Sequence, residues 1–321
     1  MSTVNRAVDK NILLRKDKNM EYVMELEGLT KTFGKKTAVD NFSLKIEKGH
    51  ICGLIGPNGA GKTTIMRMMA ALTEPDSGEM KFFGSANLDE ARSRMSFIIE
   101  EPYMEHSMTA RENMQYLRFI RGVADESRID MLLDFVGLKD VGKKKVGRFS
   151  LGMRQRLGIA MSLLAKPEFM VLDEPINGLD PEGIIDVRKM LLKLTEEEKI
   201  TILISSHILK ELSELCTDYA IVNHGKLIEK LSHEELLAKT KTFIGLRTND
   251  IGRTCTVLEG SLGIRNYKVS PENEIMIFER LEELERISSI VTQNNLTITK
   301  INVEGESLED YYIGKVGGQN E

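Results

Sequence analysis

The sequence predicts an α/β fold, with a mainly parallel sheet, an antiparallel β edge, a helical insert at about 103–165 and a small C-terminal α+β domain. Three observations predict it. A short apolar run, Ile51-Cys52-Gly53-Leu54-Ile55, leads into a glycine-rich loop and then into helix formers from Ile65 to Leu72. Two further apolar runs, Phe169 to Leu172 and Ile200 to Ser205, flank a helix-like stretch from Pro181 to Leu194, the pattern of parallel strands joined by crossover helices. After about residue 240 the pattern shifts to short alternating segments and another helix.

The elements follow in order. Residues 1–19 are polar and without a strong period, and read as a flexible N-terminal arm or as a segment upstream of an alternative start at Met20. Residues 20–240 form the first domain. From Tyr22 to Ile46, the apolar residues Val23, Leu26, Leu29, Val39, Leu44 and Ile46 stand among charges with Gly34 at a turn, which predicts strands near a sheet edge. Within the insert, Arg111 to Gly122, Ser127 to Val136 and Leu151 to Ala165 carry apolar residues at helical spacing. Residues 241–321 form an accessory domain: a strand at Phe243 to Leu246, a short helix, strands around Tyr267 and Ile275 to Phe278, a helix from Leu281 to Thr292 and a strand at Leu296 to Val303. That order suggests the ferredoxin-like split βαβ arrangement.

Composition narrows the function. With 41% hydrophobic and 29% charged residues the chain is that of a globular protein, and its 321 residues suffice for one large domain and a smaller one. A net charge of −5 provides no basic field for nucleic acid, and Lys143, Lys144, Lys145 and Arg148 read as a solvated loop. The three separated cysteines suit neither a disulfide framework nor a zinc site, and point to a reducing, cytoplasmic setting. No apolar run approaches the roughly 18 residues of a membrane-spanning helix, so membrane attachment is expected through a partner.

Gly56-Pro57-Asn58-Gly59-Ala60-Gly61-Lys62-Thr63 fits G-x-x-x-x-G-K-[ST], in which glycines let backbone N–H groups converge on phosphate oxygens at a helix N-terminus. Thr64 continues the loop into the helix. Lys62 is expected to neutralise β and γ phosphates, and Thr63 to ligate Mg²⁺. A chance glycine-rich turn is the competing explanation, and the strand-loop-helix context tells against it. Phe169-Met170-Val171-Leu172-Asp173-Glu174 is a buried strand that ends in two acids, a placement packing alone seldom explains. Asp173 is expected to hold Mg²⁺, directly or through water, and Glu174 to polarise the water that attacks the γ phosphate. A solvated turn is the alternative, and Pro175 and Gly178 would fit it.

Taken with Phe149-Ser150-Leu151-Gly152-Met153-Arg154-Gln155-Arg156, one helix before that strand, these motifs resemble the nucleotide-binding subunit of ABC transporters, a P-loop NTPase family. The resemblance spans roughly Met24 to Lys239. It implies that Ser150 and the backbone around Gly152 bind the γ phosphate of ATP held by the other subunit of a dimer. It identifies Asn177-Gly178-Leu179-Asp180 as the loop carrying Asp180 at the nucleotide interface, and His207 as the histidine that contacts the γ phosphate. Phe33 matches the aromatic residue that stacks on adenine. Where most members have glutamine after the strand Phe97-Ile98-Ile99, this sequence has Glu100, followed by Glu101-Pro102. That departure resembles the bacitracin and lantibiotic self-protection exporters, as do Thr109 to Asn113, Leu151 and Met153. Glu100 is then expected near Asp173 and Glu174, as a further group facing the nucleotide and its Mg²⁺.

The resemblance implies an ATPase that binds ATP and Mg²⁺, closes as a homodimer or a heterodimer with another such ATPase, and drives a separate membrane permease from the cytoplasmic face. No nucleic-acid partner is expected. Export of a peptide antibiotic or drug follows from the subgroup alone. A regulatory or non-transport ABC ATPase is the rival. A chromosome-maintenance ATPase would need a long coiled-coil insertion, whereas 87 residues separate Lys62 from Ser150. A translation-associated ATPase would normally carry two cassettes, and this chain has one phosphate loop.

Overall fold

The computed structural model describes residues 21–207, 209–239, 242–305 and 308–317; the N-terminal arm expected at 1–19 lies outside them. The chain divides into two compact units at Ser232/His233, so the residues from His233 onward belong with the second unit and not, as the pattern suggested, with the first as far as 240.

In the first unit, β1 (Tyr22–Phe33) and β2 (Lys36–Glu47) form a hairpin around Gly34, whose φ of 60° is the left-handed conformation such a turn requires. β4 (Ser77–Phe82) pairs with the other side of β1, giving a three-stranded antiparallel sheet of its own in the order β2-β1-β4. The expected edge is therefore a separate sheet. The main sheet contains β3 (Ile51–Ile55), β5 (Met95–Ile98), β6 (Phe169–Leu172), β7 (Thr201–Ser206), β8 (Asp218–Asn223) and β9 (Lys226–Ser232), in the order β5-β6-β7-β3-β8-β9. All neighbours pair in parallel except β8 and β9. Every residue of β3, β6, β7 and β8 is buried. A parallel sheet covered on both faces needs such near-continuous apolar strands, which is why their sequences run apolar without alternating.

Helix α1 (Lys62–Met69) lies between the two sheets. Its Ile65, Met66 and Met69 join Leu26, Phe42 and Phe82 on one side and Leu54, Val171 and Leu203 on the other in one core. α2 (Leu88–Ser93) leads into β5. The insert follows as α3 (Ala110–Ile120), α4 (Ser127–Phe135) and α5 (Leu151–Ser162). α3 starts at a reciprocal cap, where the Thr109 hydroxyl accepts from the Glu112 amide and the Glu112 carboxylate accepts from the Thr109 amide. α6 (Pro181–Glu196) crosses from β6 to β7, with Pro181 in its first turn and Asp180 as cap. α7 (Leu209–Ser213) completes the described helices of this unit.

The second unit comprises α8 (His233–Lys239), β10 (Thr242–Thr248), α9 (Ile251–Ser261), β11 (Tyr267–Val269), β12 (Ile275–Ile277), α10 (Leu284–Gln293), β13 (Ile298–Gly305) and α11 (Leu308–Gly317). Its sheet is antiparallel, in the order β11-β12-β10-β13. From β10 to β13 this is the split βαβ arrangement, closed over a core of Ile244, Leu246, Leu258, Ile275, Ile277 and Ile287.

Candidate functional site

The phosphate loop is shaped by contacts that a side chain would block. A Cβ on Gly56 would stand 2.3 Å from the Val222 carbonyl oxygen, and one on Gly61, where φ is 105°, would stand 2.5 Å from that of Ala38. The loop is thus clamped between β8 and β2. Gly225 strengthens the clamp: its amide donates to the Ala60 carbonyl (2.9 Å) and its carbonyl accepts from the Asp40 amide (3.0 Å). Inside the loop, Lys62 Nζ donates to the carbonyls of Gly56 (2.6 Å) and Pro57 (3.3 Å) and lies 3.8 Å from Glu174 Oε1. Burial lowers the Lys62 pKa from its ordinary value, against the opposing pull of Glu174 and Asp173.

The acids at the end of β6 are organised by neighbouring hydroxyls. Asp173 accepts from Thr63 Oγ1 (2.8 Å) through Oδ2 and from Ser205 Oγ (2.5 Å) through Oδ1. Ser205 Oγ in turn accepts from the Glu174 amide (2.9 Å). Glu174 has a φ of 50°, and its Oε2 accepts from His207 Nδ1 at 2.5 Å. One chain of bonds therefore joins the phosphate loop, β6 and β7. A cleft of about 250 Å³ opens beside it, lined by Phe33, Ala38, Pro57, Lys62, Thr64 and Glu174 among others. Phe33 is 52% exposed at this cleft, available as a flat apolar platform. Gly59, Ala60 and Asn58 also line it.

The donor set fits Mg²⁺. Thr63 and Asp173 present hard oxygen donors at the start of α1, and among the described residues no three of His, Cys, Asp and Glu gather into a ligating group. Magnesium usually takes only one or two protein oxygens, filling its octahedron with water and phosphate oxygens. The same result bears on Glu100, which was expected as a third carboxylate beside Asp173 and Glu174. Its carboxylate instead pairs with Arg67 of α1 at 2.9 Å, and its backbone is left-handed, with φ 63°.

Ser150 caps α5, accepting from the Met153 amide at 3.3 Å, and does not line the cleft beside the phosphate loop of its own chain. The segment packs against the Asp180 loop. Leu151 Cδ2 lies 3.0 Å from where a Gly178 Cβ would be, and a Cβ on Gly152 would meet Leu179 at 3.8 Å. Asp180 accepts from the Gly183 amide at 3.0 Å, the bond of a helix cap. Sequence reasoning missed Ser205, Arg67, Ala38 and Gly225. Only Ser205 had a usable signal, a polar residue at the end of an apolar strand.

Comparison with known proteins agrees with this geometry. A family model described as "ABC transporter" matches residues 39–177. An uncharacterized ABC transporter ATP-binding protein, YcbN, of Bacillus subtilis (strain 168) is 40% identical over 304 residues, covering 94% of this chain and 99% of the relative. The bacitracin transport ATP-binding protein BcrA of Bacillus licheniformis is 37% identical, covering 93% and 99%. Among solved structures, an ATP binding subunit of an ABC transporter superposes with a TM-score of 0.61 at 25% identity, covering 68% of this chain and 92% of that one. Likeness at this level over nearly the whole length, on a fold built around the same phosphate loop, means that the chain belongs to the ATP-hydrolysing, ATP-binding proteins of the ABC transporter family.

Proposed function

We propose that this chain powers a separate membrane permease that exports a peptide antibiotic, and that it does so by closing as a dimer on two Mg·ATP. The chain of bonds from Thr63 through Asp173, Ser205 and Glu174 to His207 carries the reading, because it presents a metal-binding pair and a general base along one side of a phosphate-sized cleft.

On this reading Lys62 exchanges the carbonyls of Gly56 and Pro57 for the β and γ phosphates, and the loop amides bind the remaining phosphate oxygens. Phe33 stacks on adenine. Glu174 accepts the proton of the attacking water as its oxygen bonds to the γ phosphorus and the bond to ADP breaks. His207 orients Glu174 and contacts the γ phosphate. Bound Mg²⁺ would be held by Thr63 and Asp173, with Glu100 nearby once it is released from Arg67, and would offset charge on the phosphates. The facing side of the cleft is supplied by the partner copy's Ser150 and Gly152, whose helix N-terminus suits an anion. Asp180 lies in the same interface. Hydrolysis removes the phosphate that both copies share, and the dimer reopens.

The peptide-antibiotic cargo rests on the likeness to the bacitracin transport protein. Glu174→Gln tests the proposal. It is expected to lower ATP turnover by at least about a hundredfold, keep nucleotide binding and shift the protein to a dimer with Mg·ATP in gel filtration. Expressed with its permease in a bacitracin-sensitive strain, wild type should raise resistance and Glu174→Gln should not. Normal turnover in the variant would refute the catalytic assignment; unchanged resistance with wild type would refute the cargo.

A further inference from the structure

β5 and β6 run in parallel, with Ile98 opposite Leu172, and the Asp173 amide extends the ladder by donating to the Ile98 carbonyl at 2.7 Å. Glu100 and Glu174 thus leave adjacent strands at the same end of the sheet, each with a left-handed backbone. Each carboxylate has taken a cation or potential cation. Glu174 has His207 and, more distantly, Lys62; Glu100 has Arg67. Arg67 projects from α1, the helix that begins with Lys62 and Thr63, so the residue that holds Glu100 is on the same rigid element as the phosphate-binding lysine and the metal-binding hydroxyl.

We propose that Arg67 is a positioning residue that holds Glu100 back from the metal site and yields it when Mg·ATP binds. The inference rests on the reading of Glu100 as a metal-facing carboxylate. Without a counter-ion, two carboxylates at neighbouring strand ends would repel each other; with Mg²⁺ bound, both are neutralised by the metal and Arg67 is no longer needed there. Arg67 therefore competes with the metal for one carboxylate. The competition is mild, because the pair is open to water: the two side chains are 46% and 61% exposed, and ion pairs of that exposure are weak. Arg67 also stands in the last turn of α1, where a cation complements the helix dipole, and the experiment has to separate that role from the one proposed.

Binding of a fluorescent ATP analogue, titrated with Mg²⁺ under conditions too brief for turnover, reads the half-saturating Mg²⁺ concentration independently of activity. Arg67→Gln is expected to lower it by roughly two- to fivefold, Arg67→Lys to leave it near wild type, and Glu100→Gln to raise it. In the double variant Arg67→Gln/Glu100→Gln the Arg67 effect should vanish. Binding measured in EDTA, together with circular dichroism, reports any damage to α1, which would alter both. If Glu100→Gln raises the Mg²⁺ requirement and Arg67→Gln does not lower it, the proposed role of Arg67 is overturned and the reading of Glu100 survives. If Glu100→Gln has no effect, both fall. An Arg67→Gln shift that persists undiminished in the Glu100→Gln background would mean a general charge effect and would likewise overturn the proposal.

Discussion

Ser205 holds two acids with one hydroxyl, donating to Asp173 and accepting from the Glu174 amide. Asp173 is buried, so a lost hydrogen bond to it is not readily replaced by water, and bonds to charged groups are worth about 1.5–3 kcal/mol. Ser205→Ala is therefore expected to lower ATP turnover by roughly ten- to a hundredfold while the fold is kept. Steady-state hydrolysis with a circular dichroism control checks this; turnover within about twofold of wild type would show that Thr63 alone suffices to place Asp173. At this scale the phosphate loop and the Asp173-Glu174 pair were legible in sequence because the chemistry of each is contiguous. Ser205 was legible only as a polar residue at the end of an apolar strand; its pairing with Asp173 was not, since Asp173 lies on a strand more than thirty residues away. Asp180 shows the reverse case: the residue was picked out for binding, and its visible bond is that of a helix cap.

Among elements, β3 and β8 are joined at the end of the sheet remote from the phosphate loop by His50 Nδ1 donating to Asp218 Oδ2 at 2.5 Å, with Thr217 Oγ1 donating to the same carboxylate at 2.7 Å. The Asp218 hydrogen bond raises the His50 pKa from its ordinary value, with burial opposing it. Burial alone would raise Asp218, and the bonds from His50 and Thr217 outweigh it and lower it. The raised His50 contributes stability that is fully present below its unfolded pKa, about 6.5, and is lost as pH rises through its folded value. The lowered Asp218 contributes stability above its unfolded pKa of about 3.9, lost as pH falls through its folded value. The Tm gap between wild type and His50→Gln should therefore be largest near pH 5 and narrow by about pH 9. Thermal melts across that range check it, and a gap that grows with pH would contradict the assignment. The pattern of apolar runs identified β3, β6 and β7 to within a residue, because strands buried on both faces must be apolar throughout. It passed over β8 and β9. β9 is a largely half-buried edge strand that does not read as a buried run, whereas Tyr219 to Val222 of β8 is an apolar run as legible as that of β6 and went unread.

For the whole molecule, the apolar surface of the insert is the feature that the isolated chain leaves unexplained. Tyr103 is 81% exposed, and Tyr116, Phe119 and Ile120 are also open to solvent beside a groove of about 530 Å³ that runs from the end of β5 to α3 and α5. Patches of this kind mark partner sites, and the groove begins beside Glu100, at Ile98 and Pro102. No described helix is long and apolar enough to cross a membrane. A cysteine at Tyr103 is expected to crosslink to a cytoplasmic loop of the permease in membranes that contain both proteins, and one at Val269 of β11 is not. Capture from both positions, or from neither, would remove the groove as the docking face. The order of motifs along the chain determined the family, the phosphate chemistry and the mixed sheet, because each motif is a local instruction: glycines for a close approach, apolar runs for buried strands, acids at a strand end. Tertiary structure alone decided that Ala38 and Gly225 clamp the loop and that Arg67 takes Glu100. Those facts depend on residues far apart in sequence whose meeting is set by sheet order and helix packing, which no local pattern encodes.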